Sequence, residues 1–167
     1  MLEQRDADIK SVLKAGDMDD SKKEKLKELI NSGIDFHAMG ASALGRHWEP
    51  LTEEQRTRFV SVFGDIVRSQ SVADLEVYQS SVTYGEIVVD GNEALVNTEI
   101  TYKDAPTSVV YKLVRKDTSW WVTDIILKDV STVDGYARSF QSVVRKKGFD
   151  TLMTKLEERQ AKIATAG

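Results

Sequence analysis

Few side chains in this sequence have both the type and the spacing to do chemistry. Its histidines are His37 and His47, ten residues apart across a glycine corner. Two imidazoles make half of a tetrahedral metal site, and the spacing supplies no third ligand, so no metal is expected. The absence of cysteine excludes disulfides, thiolate metal sites and cysteine nucleophiles. No G-x-S-x-G elbow, phosphate-binding P-loop, G-x-G-x-x-G fingerprint or H-E-x-x-H helix occurs. What remains is acid–base work by a carboxylate, Asp124 or Asp65. Asp124 is the better candidate, because it interrupts an apolar strand in which Trp120, Val122 and Ile126 are its expected same-face neighbours. Such a base needs an acid and an electrophile beside it, and none can be assembled from the sequence. A hydrogen-bonded structural aspartate is the simpler reading, and no catalytic set is expected.

The elements that would position these groups are organised around Asp35 to Ile66. Phe36, Met39, Ala43 and Leu44 recur at helical spacing, and Gly45 stands where a left-handed cap would close the turn. Trp48 and Pro50 lie in a short connection. Thr52 and Gln55 form a capping box, with Glu53 and Glu54 in the first turn where the helix dipole favours negative charge. Phe59, Val62, Phe63, Ile66 and Val67 then form one apolar stripe on a helix expected to reach about Tyr78, with a bend near Ser69 to Ser71.

Upstream, Asp6 to Ala15 reads as a helix with Ile9, Val12 and Leu13 on one side, ending at Gly16. Ser21 and Glu24 make a capping box for a helix buried along Leu26, Leu29 and Ile30. Near Ser80 the period becomes alternating. Val82 and Tyr84 lead to Ile87, Val88 and Val89, and Asp90-Gly91 signals a hairpin. Ala94, Val96, Thr98, Ile100 and Tyr102 share a face of the next strand. Val109, Tyr111 and Leu113 point inward on a third, and Trp120 to Leu127 makes a fourth, with Trp121, Ile125 and Leu127 opposite Asp124. Tyr136, Phe140, Val143 and Val144 form a late helical stripe closed by Gly148, with Arg145, Lys146 and Lys147 suiting the dipole of its last turn. Asp150 is expected to cap a final helix through Leu152 and Leu156. The expected fold is α+β: one domain over residues 1–167, with a four-stranded antiparallel meander packed by N- and C-terminal helices.

The 167 residues are 41% hydrophobic and 30% charged, enough for a sizeable core or a smaller core with a cavity. A net charge of -4 argues against a nucleic-acid footprint. No apolar run reaches the ~20 residues of a membrane-crossing helix. The start, MLEQRDADIK, is charged from its third residue and has no apolar h-region, so it does not read as a secretory signal. The residues alone leave open a cytoplasmic chain or the mature part of an exported one. Large apolar groups on both faces of the fourth strand, with Phe59, Phe63, Tyr136 and Phe140 on flanking helices, exceed what any catalytic set would need. They could pack solid or line a pocket for an apolar ligand.

The order of these landmarks resembles the MlaC, or toluene-tolerance, family of periplasmic phospholipid-binding carriers. The resemblance runs from about Leu26 to Leu156. It rests on Ile34-Asp35-Phe36 through Leu44-Gly45 and Trp48, then Gln55-Arg56, Phe59 and Phe63. It continues with Val109 to Leu113, the strand Trp120, Val122, Asp124 and Ile125, and Val130-Ser131. Tyr136, Phe140, Gly148, Asp150 and Leu152 complete it. Asp129 stands where the family usually has glycine, and Ala137 where it has arginine, with Arg138 one place later. A hopanoid-associated branch (HpnM-like) shares the landmarks.

The resemblance implies a curved, cone-shaped sheet of the nuclear-transport-factor type with acyl chains held between sheet and helices. The expected lining is Leu44, Trp48, Phe59, Phe63 and Ile66, then Tyr84, Val96, Ile100, Val109, Tyr111, Leu113 and Val122, and finally Tyr136, Phe140 and Val144. It implies a monomeric periplasmic carrier with no cofactor and phospholipid as cargo. Its partners would be an inner-membrane ABC-transporter (MCE-type) complex and an outer-membrane lipoprotein complex. The runner-up is a small acid–base isomerase or hydrolase on the same cone, using Asp124. A carrier has a physical purpose: two chains of roughly 15 carbons, at about 0.8 kcal/mol per methylene, cost on the order of 20 kcal/mol to expose to water.

Overall fold

A computed structural model describes residues 1–17, 19–71 and 76–166. The helix α1 spans Leu2–Lys14, α2 Asp20–Asn31 and α3 Phe36–Leu44, followed by a single 3-10 turn, Gly45–His47. Next come α4, Glu53–Ser71, and the short α5, Glu76–Gln79. The strands are β1 Thr83–Asp90, β2 Glu93–Tyr102, β3 Ala105–Lys116, β4 Ser119–Leu127 and β5 Val130–Ser131, and α6 Thr132–Lys147 and α7 Phe149–Ala166 close the chain. The run of α4 toward Tyr78 crosses residues 72–75, which lie outside the described residues.

The Thr52 capping box forms in both directions. Gln55 N donates to Thr52 Oγ1 at 3.1 Å, and Thr52 N donates to Gln55 Oε1 at 2.9 Å. The Ser21 box does not: Asp19 is the N-cap of α2, accepting from Lys22 N at 2.8 Å. A carboxylate reaching a free amide at the positive end of the helix dipole outcompetes a hydroxyl two residues inside it. Gly45 has φ 56°, and a Cβ there would stand 2.8 Å from Gln141 Nε2 on α6. The same nitrogen donates to Ala43 O at 3.1 Å, so the corner needs both the positive φ and the missing side chain. Trp48 then turns inward, its edge toward His37 at 5.1 Å, while Arg56 covers its ring at 5.1 Å and donates to its carbonyl.

The sheet has five strands in the order β1-β2-β3-β4-β5, all antiparallel, correcting the four-stranded expectation. The fifth is a two-residue strand joined to β4 by Lys128 and Asp129, both at positive φ, 51° and 66°. That two-residue turn suits a hairpin, and aspartate tolerates the left-handed region where glycine is usual. Lys103 and Asp104 make the equivalent turn between β2 and β3.

The inner face carries Ala94, Val96, Thr98 and Ile100 of β2 and Val109 and Leu113 of β3, as their alternation requires. On β4 the alternation breaks. Lys112 pairs with Asp124 but Leu113 pairs with Val122, so Thr123 is an extra residue and the strand is bulged there. The bulge reverses parity. Ile125 and Leu127, opposite Tyr111 and Val109, join the face of Val122 instead of facing away from it. Beyond the bulge, the edge of β4 is covered by the α2–α3 link: Val122 N donates to Gly33 O at 2.7 Å and Asp35 N donates to Val122 O at 2.9 Å.

Two apolar clusters result. The larger holds Phe59, Phe63 and Phe140 among the sheet and α3, α4, α6 and α7. The smaller joins Ile9 of α1 to Leu26 and Ile30 of α2.

Candidate binding cleft

A largely apolar cleft lies at the seam between those clusters. α1 rests on α2, and the two stand off the sheet, leaving a cleft of about 330 Å³. Ile9, Ile30, Ile34, Met39 and Val67 line it from the helices, and Ile100, Val109, Ile125 and Leu127 from the sheet. Tyr78, Tyr111 and Tyr136 add aromatic walls, with Gln70, Asn31 and Thr132 among the polar lining. Among the described residues its charged lining groups are Arg5, Asp6 and Lys10, all from α1.

Of the expected lining, Ile100, Val109, Tyr111 and Tyr136 stand on this surface. Leu44, Trp48, Phe59, Phe63, Ile66, Val96, Leu113, Val122 and Phe140 are buried in the larger cluster, and Tyr84 and Val144 pack against it. The reason is aromatic packing. Phe59 and Phe63 stack at 5.6 Å, and Phe140 meets each of them edge-on at 5.9 Å, so the space between α4 and α6 is filled by rings. Tyr136 joins the two regions: its ring meets Phe63 edge-on at 5.2 Å, and its hydroxyl donates to Gln70 Oε1 at the cleft.

A polar chain crosses one end of the cleft. Tyr84 donates its hydroxyl proton to Asp6 Oδ2, Asp6 lies 3.7 Å from Arg5 Nη2, and that nitrogen donates to the Tyr111 hydroxyl at 3.2 Å. Arg5 also stacks over the Tyr111 ring, 5.3 Å from its centroid. Burial pushes the Tyr111 hydroxyl above the ordinary tyrosine range against the lowering effect of Arg5, and burial with the Asp6 bond pushes Tyr84 up strongly. Both phenols therefore stay protonated at neutral pH and act as donors.

Asp124 takes no part in the cleft. Its carboxylate accepts from Ile125 N at 2.8 Å, from Val133 N at 3.1 Å and from the Ser131 hydroxyl, which itself caps α6. The Ser131 and Val133 bonds tie β4 to the β5–α6 corner, a structural use of a buried acid. Asp65, the other candidate, is half exposed, pairs with Arg68 at 3.2 Å and accepts from Gln160 at 2.8 Å. His37 packs on Trp48, away from His47 in the exposed 3-10 turn. Among the described residues no group of three or more His, Asp or Glu is placed to hold a metal, and no helix is long and apolar enough to cross a membrane.

An antiparallel sheet wrapped by helices, with a largely apolar cleft between them, defines a class of small α+β ligand-holding folds. A structure of that class from Ralstonia solanacearum, described as a phospholipid-binding protein in complex with a phospholipid, superposes with a TM-score of 0.82 at 21% identity. The match covers 98% of this chain and 96% of that one. The chain belongs to the MlaC protein family, whose model matches residues 3–158. It is 23% identical over 132 residues to the intermembrane phospholipid transport system binding protein MlaC of Haemophilus influenzae, covering 75% of this chain. The aligned part spans 62% of that relative's length. A ferredoxin–NADP reductase of Staphylococcus saprophyticus aligns at 29% identity over 94 residues, only 27% of its length, and the dinucleotide fingerprint is missing here.

Proposed function

We propose that this protein is a lipid carrier that holds the acyl portion of a phospholipid in the cleft between α1–α2 and the sheet, and passes it between membrane-bound complexes. The observation that carries the reading is the cleft itself, apolar on both walls. Membership of the MlaC family and the phospholipid-bound Ralstonia neighbour support it. In this reading Ile100, Val109, Tyr111 and Tyr136 touch cargo directly. The aromatic block behind them, Phe59, Phe63 and Phe140 with Leu44, Trp48, Ile66 and Phe140's neighbour Val144, is the wall that sets how far the cleft can widen. Val96, Leu113, Val122 and Tyr84 form the corresponding support on the sheet.

Size refines the proposal. At the ~30 Å³ of a water-sized unit, which is close to a methylene, a 330 Å³ cleft holds on the order of ten carbons. That is part of one chain. A diacyl cargo requires α1 and α2 to move away from the sheet, which would break the Arg5–Tyr111 and Tyr84–Asp6 bonds that hold α1 to it.

The remaining features of the proposed role are periplasmic residence, a monomeric state, and docking to an inner-membrane ABC-transporter complex and an outer-membrane lipoprotein complex. Lipid extracted from the purified protein and identified by mass spectrometry tests the reading. A phospholipid present in near-stoichiometric amount is expected. Protein that purifies empty and takes up no phospholipid from vesicles would overturn it.

A further inference from the structure

Arginine is an unusual residue to bury in a lipid cleft, and Arg5 is buried: its side chain is 6% exposed. A guanidinium carries five N–H donors in a fixed fork. One of them, on Nη2, reaches the Tyr111 hydroxyl, and Asp6 stands at 3.7 Å from the same nitrogen. The Nε–H is buried with no hydrogen-bond partner. Asp6 is itself shared, since it accepts from Tyr84. A donor left unpaired on a buried cation costs more than a neutral one, so the arrangement is incomplete as it stands.

Tyr111 sharpens the point. Its oxygen accepts from Arg5, which leaves its own proton to donate to an oxyanion. Arg5 and Tyr111 therefore stand together at one end of an apolar cleft, bonded to each other through Nη2. Among the described residues the charged lining groups are Arg5, Asp6 and Lys10.

We propose that Arg5 and the Tyr111 hydroxyl form an anion-gripping site inside the cleft, which takes a carboxylate or phosphate oxygen of a bound amphiphile while its chain lies along the apolar walls. The proposal rests on the lipid-carrier reading and adds a chemical selectivity to it: anionic amphiphiles over neutral ones of the same chain. Charge-assisted bonds from a guanidinium to an oxyanion are among the strongest available, and a low-dielectric cleft screens them little.

The test uses the purified full chain, stripped of co-purified lipid, with dodecanol, dodecanoate, dodecyl phosphate and inorganic phosphate as ligands in calorimetric titrations. Wild type is expected to bind the two anionic amphiphiles roughly ten- to hundredfold more tightly than dodecanol. Arg5→Met is expected to bring that ratio to within about twofold, and Arg5→Lys to keep part of it. Comparison of dodecanoate with dodecyl phosphate separates a fatty-acid head from a phospholipid phosphate. Equal binding of dodecanol and the anions by wild type would overturn the anion site and leave the carrier reading standing. A loss of dodecanol binding in Arg5→Met equal to the loss of the anions would do the same. Inorganic phosphate binding as tightly as dodecyl phosphate would overturn the assignment to an amphiphile. Failure of wild type to bind dodecanol or either anion would overturn the carrier reading and this inference together.

Discussion

Asp124 accepts the backbone N–H of Val133 at 3.1 Å, joining the last part of β4 to the first turn of α6. The same carboxylate receives the Ser131 hydroxyl and the Ile125 amide, so its capacity is spent on one corner of the fold. Asp124→Ala is expected to destabilise the protein by about 2–3 kcal/mol, because it removes charge-assisted bonds and leaves buried donors unpaired. Asp124→Asn keeps one acceptor and should cost about 1 kcal/mol. Urea unfolding measures both. Bound lipid per folded molecule should stay constant, and loss of turnover on a small carbonyl substrate in Asp124→Asn would point to an enzyme instead.

Ile100 separates a cleft from a filled core. It lines the cleft and is 5% exposed, so a tryptophan in its place has open volume to enter. Ile100→Trp should lower the lipid recovered with the protein while leaving the melting temperature of the stripped form nearly unchanged. In a packed interior the same change would overpack and cost about 1–3 kcal/mol. Phe59→Ala is the contrast: Phe59 is fully buried among rings and should cost about 3–5 kcal/mol.

The caps of α2 give a prediction on a smaller scale. Asp19→Ala should cost about 1 kcal/mol, whereas Ser21→Ala, at the second residue of the helix, should lie within about 0.5 kcal/mol of wild type. Thermal melts of the two single variants check the order, and a larger loss for Ser21→Ala would refute the cap assignment.

Asp35 sets an acid-side dependence. Its burial alone would raise the carboxyl, but the Ala38 amide bond and the Lys116 ammonium outweigh that and hold it below its ordinary value. A depressed folded pKa contributes stability that is fully present above the unfolded value of about 3.9 and is lost as pH falls through the folded one. Lys116→Met should therefore be less stable than wild type at neutral pH, and the difference should shrink below about pH 4. Unfolding free energies measured from pH 3 to 7 test the sign; a difference that grows on acidification would contradict it.

Much of the sheet is legible from alternation, because one face of β2 and β3 meets the core and the other meets water. Val96, Ile100, Val109 and Leu113 follow from period alone. The two-residue β5 does not, since Lys128-Asp129 is a weaker turn signal than a glycine pair and two residues carry no period. The aromatic stripes of α4 and α6 are equally visible, but spacing says only that they face inward, and whether rings close on one another or on a ligand depends on the distance between helices. Arg5 was invisible for a different reason. Among Glu3, Asp6, Asp8 and Lys10 it reads as one more charge on a solvated helix, and only the placement of α1 across the sheet buries it.

Because β4 carries large apolar groups on both sides, its composition is nearly symmetric, and length rather than chemistry decides which side is inside. Thr123, the inserted residue, acts as a frame marker. Substitutions that exchange one aliphatic group for another along Ile125, Ile126 and Leu127 leave both surfaces apolar and should be absorbed. Deleting Thr123 would remove the bulge and leave Ile125 and Leu127 on the face of Val122, whereas deleting Ile125 would bring Ile126 in and turn Leu127 outward. For this strand, then, the chain is far more tolerant of misspelling than of miscounting.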